Sequence, residues 1–475
     1  LIYGKIDLKS RHEVAPVLIQ PVVNTLMPGG SMPKTTYRTR EGELNRREFL
    51  YLGAMATAGV VAGCAVNPVT GQSQLMLVSE EQEIQLDRQN SPHQFSADYG
   101  TTQDAALNRY VADTGKTIAA QTHRKQMPYA FHTVNATYVN AYAFPGGSIG
   151  VTRGILLKLN NEAELAALLG HELGHVNARH TAEQMSRGVL TQTLVAGASI
   201  FLSTKGAGYG QLSSTLGTIG AGALLAHYSR DNEREADALG MEYMVRSRYS
   251  PQGMVGLMEM LNGLNKQQSN SAAVLFSTHP MSNERLTTAV QSAQSQYKAA
   301  AEQPLHRERF KDRTAALRSK RGAIEHMQAG EKEMAKKRYS QAESHFASAL
   351  QQAPNDYAGL LMMSKCLMAQ NKKDASQRYA AKAKQVYPQE AQAYQMTGMA
   401  NLHQNRYAAA FKDFETVEQR LPGNPNTFFL KGYAAEKMGE RKRAANAYYR
   451  YLQMTNQGDP ARYAYQRLVQ WGYVR

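Results

Sequence analysis

His171 and His175 stand four residues apart in HELGHVNARH (171–180), with Glu172 beside the first. On a helix, positions four apart share one face, so both imidazoles can point at one ion. Two histidine ligands and an adjacent carboxylate base form the HExxH arrangement of zinc hydrolases. His180 is nine positions from His171, about half a turn out of register on a continuous helix, so a structural role is expected for it. A metzincin continuation would need glycine at 178 and histidine at 181, where the sequence has Ala178 and Thr181. The third ligand must come from elsewhere. SRDNEREADALG (229–240) offers Glu233 and Asp237, four apart on one helix face, with Glu235 pointing away. Glu233 is the expected third ligand, and Asp237 the acceptor that orients the imidazole of His171 or His175. One Zn2+ per chain is expected. Glu172 would take a proton from the attacking water and deliver it to the leaving amine.

The surrounding elements must hold these groups. Ser79 and Gln82 form a capping box ahead of a helix in VSEEQEIQLDRQ. A second helix is expected over about 103–121, with Leu107, Tyr110, Val111 and Ile118 on one side. YAFHTV, YVNAYAF and SIGVT read as strands, the last two joined by a turn at Pro145-Gly146-Gly147. Asn161 caps the helix that carries the histidines, with Glu164 three residues on. Asn140, Ala141, Tyr142 and Ala143 lie in the strand expected to pair with an extended substrate.

NPVTGQSQLMLVSEEQE, NAYAFPGGSIGVTRGIL, HELGHVNARH, YSRDNEREADALG and STHPMSNERL follow one another in this order. Together they resemble the zinc metallopeptidase family that includes the CAAX prenyl proteases, the heat-shock membrane protease and the periplasmic β-barrel assembly-enhancing protease, and most resemble the periplasmic type. The resemblance covers residues 65–300. It implies an α+β zincin-like peptidase domain, mostly helical with a small sheet. It also implies that the first glutamate of an ExxxD pair, here Glu233, is the third ligand. An HPxxxxR pattern, here His279 and Arg285, would lie near the site. His279 would stabilise the oxyanion or occupy the open metal position in a closed state. Arg285 would hold the same charge or orient the active-site acid.

The N-terminal region reads as an address. Residues 1–31 lack periodicity and are expected to be a non-native or disordered extension, with translation starting at Met32 or Met27. Residues 32–64 combine Arg46-Arg47, a short apolar run and VAGC (61–64), the pattern of a twin-arginine-like lipoprotein signal. Cleavage before Cys64 and lipidation of that residue follow, giving a periplasmic chain anchored on the inner face of the outer membrane. The apolar run at 188–226 is too short and too polar for a span, so packed core helices joined by a glycine-rich loop are expected there. The net charge of +15 comes without a nucleic-acid motif, so a solvated basic surface is expected and no nucleic-acid partner. Cys64 and Cys366 are the two cysteines, which excludes a disulfide framework.

The last third repeats. Pro354, Pro388 and Pro422 are 34 apart, as are Phe346, Ala380, Phe414 and Tyr448, and Gly330, Ser364, Gly398 and Gly432. This is the tetratricopeptide period. Four repeats are expected over 323–458, with a capping helix over 459–475, as an all-α superhelix. Residues 323–475 hold 22 Lys+Arg and 13 Asp+Glu, a net +9, which would suit an acidic protein partner. Residues 301–322 are expected to form a basic connecting helix bracing the repeats. The expected function is a lipid-anchored zinc endopeptidase acting on misassembled or unfolded envelope proteins. Its repeats would recruit substrate or an outer-membrane assembly complex. The alternative is a chaperone or scaffold whose zinc site is latent. Prenyl-protein processing would require membrane-embedded helices.

Overall fold

The computed structural model describes residues 64–71, 73–195, 228–455 and 457–474. The signal, the lipobox ahead of Cys64 and most of the apolar run lie outside the described residues. Cys64 opens strand β1 (Cys64–Val66), which pairs antiparallel with β2 (Ser73–Leu75). The Asn67 carboxamide oxygen accepts from Val69 N and Thr70 N in the intervening turn, a local role suited to asparagine.

Helix α1 (Glu80–Ala97) starts at the Ser79–Gln82 capping box, and α2 (Ala105–Ala119) is capped by Asp104. Three strands follow, β3 (Ala130–Val134), β4 (Ala141–Ala143) and β5 (Ser148–Thr152), in spatial order β3-β5-β4. β3 runs parallel and β4 antiparallel to β5, so β4 is an edge strand. It is shorter than the sequence suggests. The Thr152 hydroxyl donates toward the carbonyls of Tyr138 and Asn140, and Val139 N donates to Ser271 O. Tyr138 and Val139 bend away at these bonds, and Asn140, whose carbonyl still accepts from Thr152 N at 3.1 Å, stands just ahead of the strand.

Helix α3 (Glu162–Asn177) carries both motif histidines and is buried on every side. The expected single apolar face is thus a helix through the centre of the domain. Around it pack β4, α2, α5 (Arg230–Arg246) and α6 (Gln252–Lys266). Helix α4 (His180–Val195) follows α3, and α7 (Asn283–Gln294) comes after the HPxxxxR segment.

The connecting segment is helical from α8 (Arg307–Arg313) onward and braced on the peptidase side. Arg309 Nε lies 2.6 Å from Glu162, and Arg318 and Arg321 donate to the carbonyls of Leu159 and Leu157. Four antiparallel helix pairs then stack: α9/α10 (Arg321–Ala335, Tyr339–Gln352), α11/α12 (Tyr357–Ala369, Lys373–Val386), α13/α14 (Ala391–His403, Tyr407–Arg420) and α15/α16 (Pro425–Lys437, Arg441–Met454). Helix α17 (Asp459–Gln470) closes the stack. The 34-residue rule has a steric cause. A Cβ on Gly330, Gly398 or Gly432 would lie 2.3, 2.7 or 2.7 Å from the ring of Phe346, Phe414 or Tyr448. In the second repeat both partners are small, and Ser364 Oγ instead lies 2.9 Å from Ser376 O. Cys366 is a free, buried thiol.

The repeats fold back on the peptidase domain. Arg153, after β5, pairs with Asp356 at 2.5 Å, and Asp356 also caps α11. Thr137 meets Glu331 at 2.6 Å, Ser96 meets Glu390 at 2.5 Å, and Lys365 Nζ lies 4.5 Å above the Tyr99 ring. The whole is a mixed helix and small-sheet domain followed by a tetratricopeptide superhelix.

Candidate metal centre

Three elements converge on one buried point. His171 and His175 face it from α3, Glu233 from the first turn of α5, and His279 from the segment before α7. Two helices can bring their ligands this close only if their backbones nearly touch. A Cβ on Gly170 would lie 2.8 Å from Gly240 O, one on Gly174 2.8 Å from Ala236 O, and one on Gly240 2.8 Å from His171 N. Glycine at 170, 174 and 240 therefore sets the α3–α5 crossing, and the crossing sets the ligand spacing.

The spacing suits a small tetrahedral ion. His171 Nε2 and His175 Nε2 are 3.1 Å apart, and His175 Nε2 is 3.3 Å from Glu233 Oε1. His279 Nδ1 is 3.3 Å from His171 Nε2 and 3.0 Å from Glu233 Oε1. Four ligands about 2.0–2.1 Å from a tetrahedral zinc lie roughly 3.3 Å from one another. Imidazole nitrogens and a carboxylate are the donors zinc takes, and all four residues are buried. The set therefore fits a zinc ion.

Outer partners hold the ligands. His171 Nδ1 is 2.9 Å from Asp237 Oδ1. Arg285 clamps Asp237 through Nε and Nη2, each at 2.7 Å, and its Nη1 lies 2.6 Å from Glu233 Oε2. Burial pushes the Glu233 carboxyl up, but His279, His171 and His175 beside it outweigh that and hold it well below the usual range. Burial likewise opposes ionisation of Asp237, and Arg285 reverses it, leaving Asp237 lowered. Burial lowers His175 far below an ordinary histidine, which keeps it neutral and able to ligate. Burial would also lower His279, but the Glu233 and Glu172 carboxylates raise it overall.

Glu172 is 1% exposed, stands outside the ligand set, and its Oε2 has no hydrogen-bond partner among the described residues. Its Oε1 is 4.0 Å from His279 Nε2. Burial raises its carboxyl despite the lowering influence of His279 and His171. A free carboxylate oxygen beside a ligand cluster is placed to handle a proton.

A cavity of about 320 Å³ opens beside the cluster, lined among others by Tyr138, Asn140, Tyr142, Ala143, Tyr228 and His279. Ala141 belongs to the same edge strand and is buried. Asn140 Oδ1 is buried without a hydrogen-bond partner among the described residues. Cys64 enters β1 far along the chain from these groups.

Some contacts escaped the sequence reading. Tyr228 stacks on His175 with ring centroids 3.8 Å apart and bonds Thr181 through its hydroxyl. Glu235 does point away from the ligand cluster, and, partly exposed, it also meets His180. An aromatic five residues ahead of Glu233 was the available signal for Tyr228.

Residues 105–293 match the family described as Peptidase family M48, and residues 333–399 match Tetratricopeptide repeat. The chain carries an M48 peptidase domain. Residues 37–72 match a profile described as a ubiquitinol-cytochrome C reductase Fe-S subunit TAT signal. The beta-barrel assembly-enhancing protease of Yersinia pestis is 32% identical over 39% of this chain and 39% of its own length. Metalloprotease YcaL of Escherichia coli is 28% identical over 50% of this chain and 89% of its own. The mitochondrial metalloendopeptidase OMA1 of Schizosaccharomyces pombe is 35% identical over 37% and 50%. The chain thus spans about 39% of the length of the first of these relatives.

Proposed function

We propose that this chain is a zinc-dependent endopeptidase of the bacterial periplasm, anchored by lipid on Cys64. The observation that carries the reading is the buried His171–His175–Glu233–His279 cluster with the unligated Glu172 beside it. Bound zinc would supply a Lewis acid that polarises the scissile carbonyl and acidifies water. Glu172 accepts the proton of that water and returns it to the leaving amine. An extended substrate pairs with the edge of β4, whose Ala141 and Ala143 are small but buried. Asn140 Oδ1 offers a substrate N–H an acceptor at the end of that strand. With His279 off the fourth ligand position, it and Arg285 are the groups that face the developing oxyanion, and Asp237 keeps His171 oriented.

The substrates are misassembled or unfolded envelope proteins, and the repeats recruit them or an outer-membrane assembly complex. The relatedness to the assembly-enhancing protease and the tetratricopeptide stack support this reading. Export by the twin-arginine route draws on Arg46-Arg47 and the matching signal profile. Among the described residues no helix is long and apolar enough to cross a membrane.

A second reading has one observation in its favour. His279 Nδ1 stands within the ligand set, as in a closed site with its fourth position filled. The chain would then act as a chaperone or scaffold, binding unfolded polypeptide and cleaving none. Incubating the full chain with an unfolded outer-membrane barrel protein decides between them. Cleavage that stops on chelation and returns with added zinc is expected. Cleavage indifferent to chelation would remove the metallopeptidase reading.

A further inference from the structure

His180 was expected to be out of reach because a continuous helix would carry it to the far side of α3. The helix does not continue. It ends at Asn177, and Arg179 adopts φ +61, a left-handed conformation that non-glycine residues rarely take. Arg179 is held there by Glu83, 3.2 Å away, and by the Val78 carbonyl at 2.7 Å. The reversal returns His180, fully buried, to the outer side of His175.

The resulting hydrogen bonds form one chain. His175 Nε2 faces the ligand cluster, so its proton resides on Nδ1. That atom is 2.9 Å from His180 Nδ1, which must then accept. The His180 proton is therefore on Nε2, which lies 3.2 Å from Glu235 Oε2. The other Glu235 oxygen accepts from Asn67 Nδ2 at 3.2 Å. His171 has a carboxylate directly behind it, Asp237. His175 has its carboxylate one imidazole further back.

We propose that His180 and Glu235 are positioning residues for the metal ligand His175, acting as a carboxylate–imidazole relay that fixes its tautomer and ring orientation. The proposal rests on the zinc-site reading above. A ligand histidine whose outer N–H loses its acceptor typically binds metal about 10–100-fold more weakly.

The test is the zinc dissociation constant of the full chain, measured by competition with a chelator, with thermal melting of the metal-free protein as the check on folding. His180→Phe keeps a ring but no acceptor, and zinc should bind about 10–100-fold more weakly. His180→Asn restores an acceptor near the Nδ1 position and should recover most of that loss. Glu235→Gln keeps an acceptor for His180 without the charge, and its loss should be about 10-fold, the lower end of that range. The double variant His180→Phe/Glu235→Gln should be no worse than His180→Phe, because the relay is already cut. Unchanged zinc affinity in His180→Phe, or losses that simply add in the double variant, would overturn the relay. If His180→Phe does not fold, Glu235→Gln decides: a loss of about 10-fold supports the relay, and unchanged zinc affinity overturns it. A wild-type chain that binds no zinc defeats the metallopeptidase reading. A zinc-tight wild type with an unaffected His180→Phe defeats the relay alone.

Discussion

Glu172→Gln is expected to keep its zinc and lose its peptidase activity. The side chain is buried, lies outside the ligand set and has one oxygen without a hydrogen-bond partner among the described residues, so an isosteric amide leaves the cluster undisturbed. What it removes is the proton acceptor. General acid–base groups of this kind contribute about 10²–10⁴ in rate, or roughly 3–5 kcal/mol of barrier. The pH profile supplies a second readout. Burial raises the Glu172 carboxyl, against the lowering influence of His279 and His171. The base form is the active one, so kcat/KM rises as pH increases through this raised value. The acid limb reports the ionisation of Glu172, and Glu172→Gln should abolish it along with the activity. Steady-state cleavage and zinc content of the same preparations check both points. Full activity in the variant would sink the assigned role.

Arg153→Leu is expected to cost more stability than any surface change in the repeats. Arg153 and Asp356 are 4% and 7% exposed and join the peptidase domain to the second repeat. Removing one partner leaves a buried charge unpaired, a loss of about 3–5 kcal/mol. Burial favours the neutral form of Asp356, and Arg153 outweighs it, so the folded carboxyl is lowered. In the wild type this contribution is present above the unfolded carboxyl pKa of about 3.9 and is lost as pH falls through the lower folded value. Without Arg153, burial is opposed only by the Gly359 N–H and Lys320, so the folded carboxyl rises from its wild-type position. The deficit of Arg153→Leu should then shrink as pH is lowered toward about 4, because its folded state takes up the proton before the wild type's does. Adding Asp356→Asn, which keeps the capping oxygen of α11, should restore part of the stability at neutral pH. Thermal melting of the three variants measures this. A single variant within about 1 kcal/mol of the wild type, inside the range of an exposed pair, would contradict the buried link.

Much of the ligand set was legible because helical period is simple. Four-residue spacing puts His171 with His175 and Glu233 with Asp237, and the structure brings the first three to one point and sets Asp237 behind His171. The repeats were legible because a 34-residue steric rule returns at Gly330, Gly398 and Gly432. What was hidden depends on events that the local pattern does not encode. Arg179 breaks the helix without a glycine or proline, which is how His180, still outside the ligand set, comes to meet the outer nitrogen of His175. The Thr152 hydroxyl, on another strand, bonds the Tyr138 and Asn140 carbonyls where Tyr138 and Val139 leave the strand. The Arg153–Asp356 pair joins residues 203 apart, a distance over which no periodicity speaks. The close crossing of α3 and α5 was half visible, since Gly170, Gly174 and Gly240 could be seen but not paired.

The central claim is that one zinc ion sits among His171, His175 and Glu233. Anomalous diffraction at the zinc edge, on crystals of the full chain prepared with zinc, tests it most directly. The account predicts a single strong peak per chain between the Nε2 atoms of His171 and His175 and the Glu233 carboxylate. No peak there, or zinc bound only elsewhere, would contradict it.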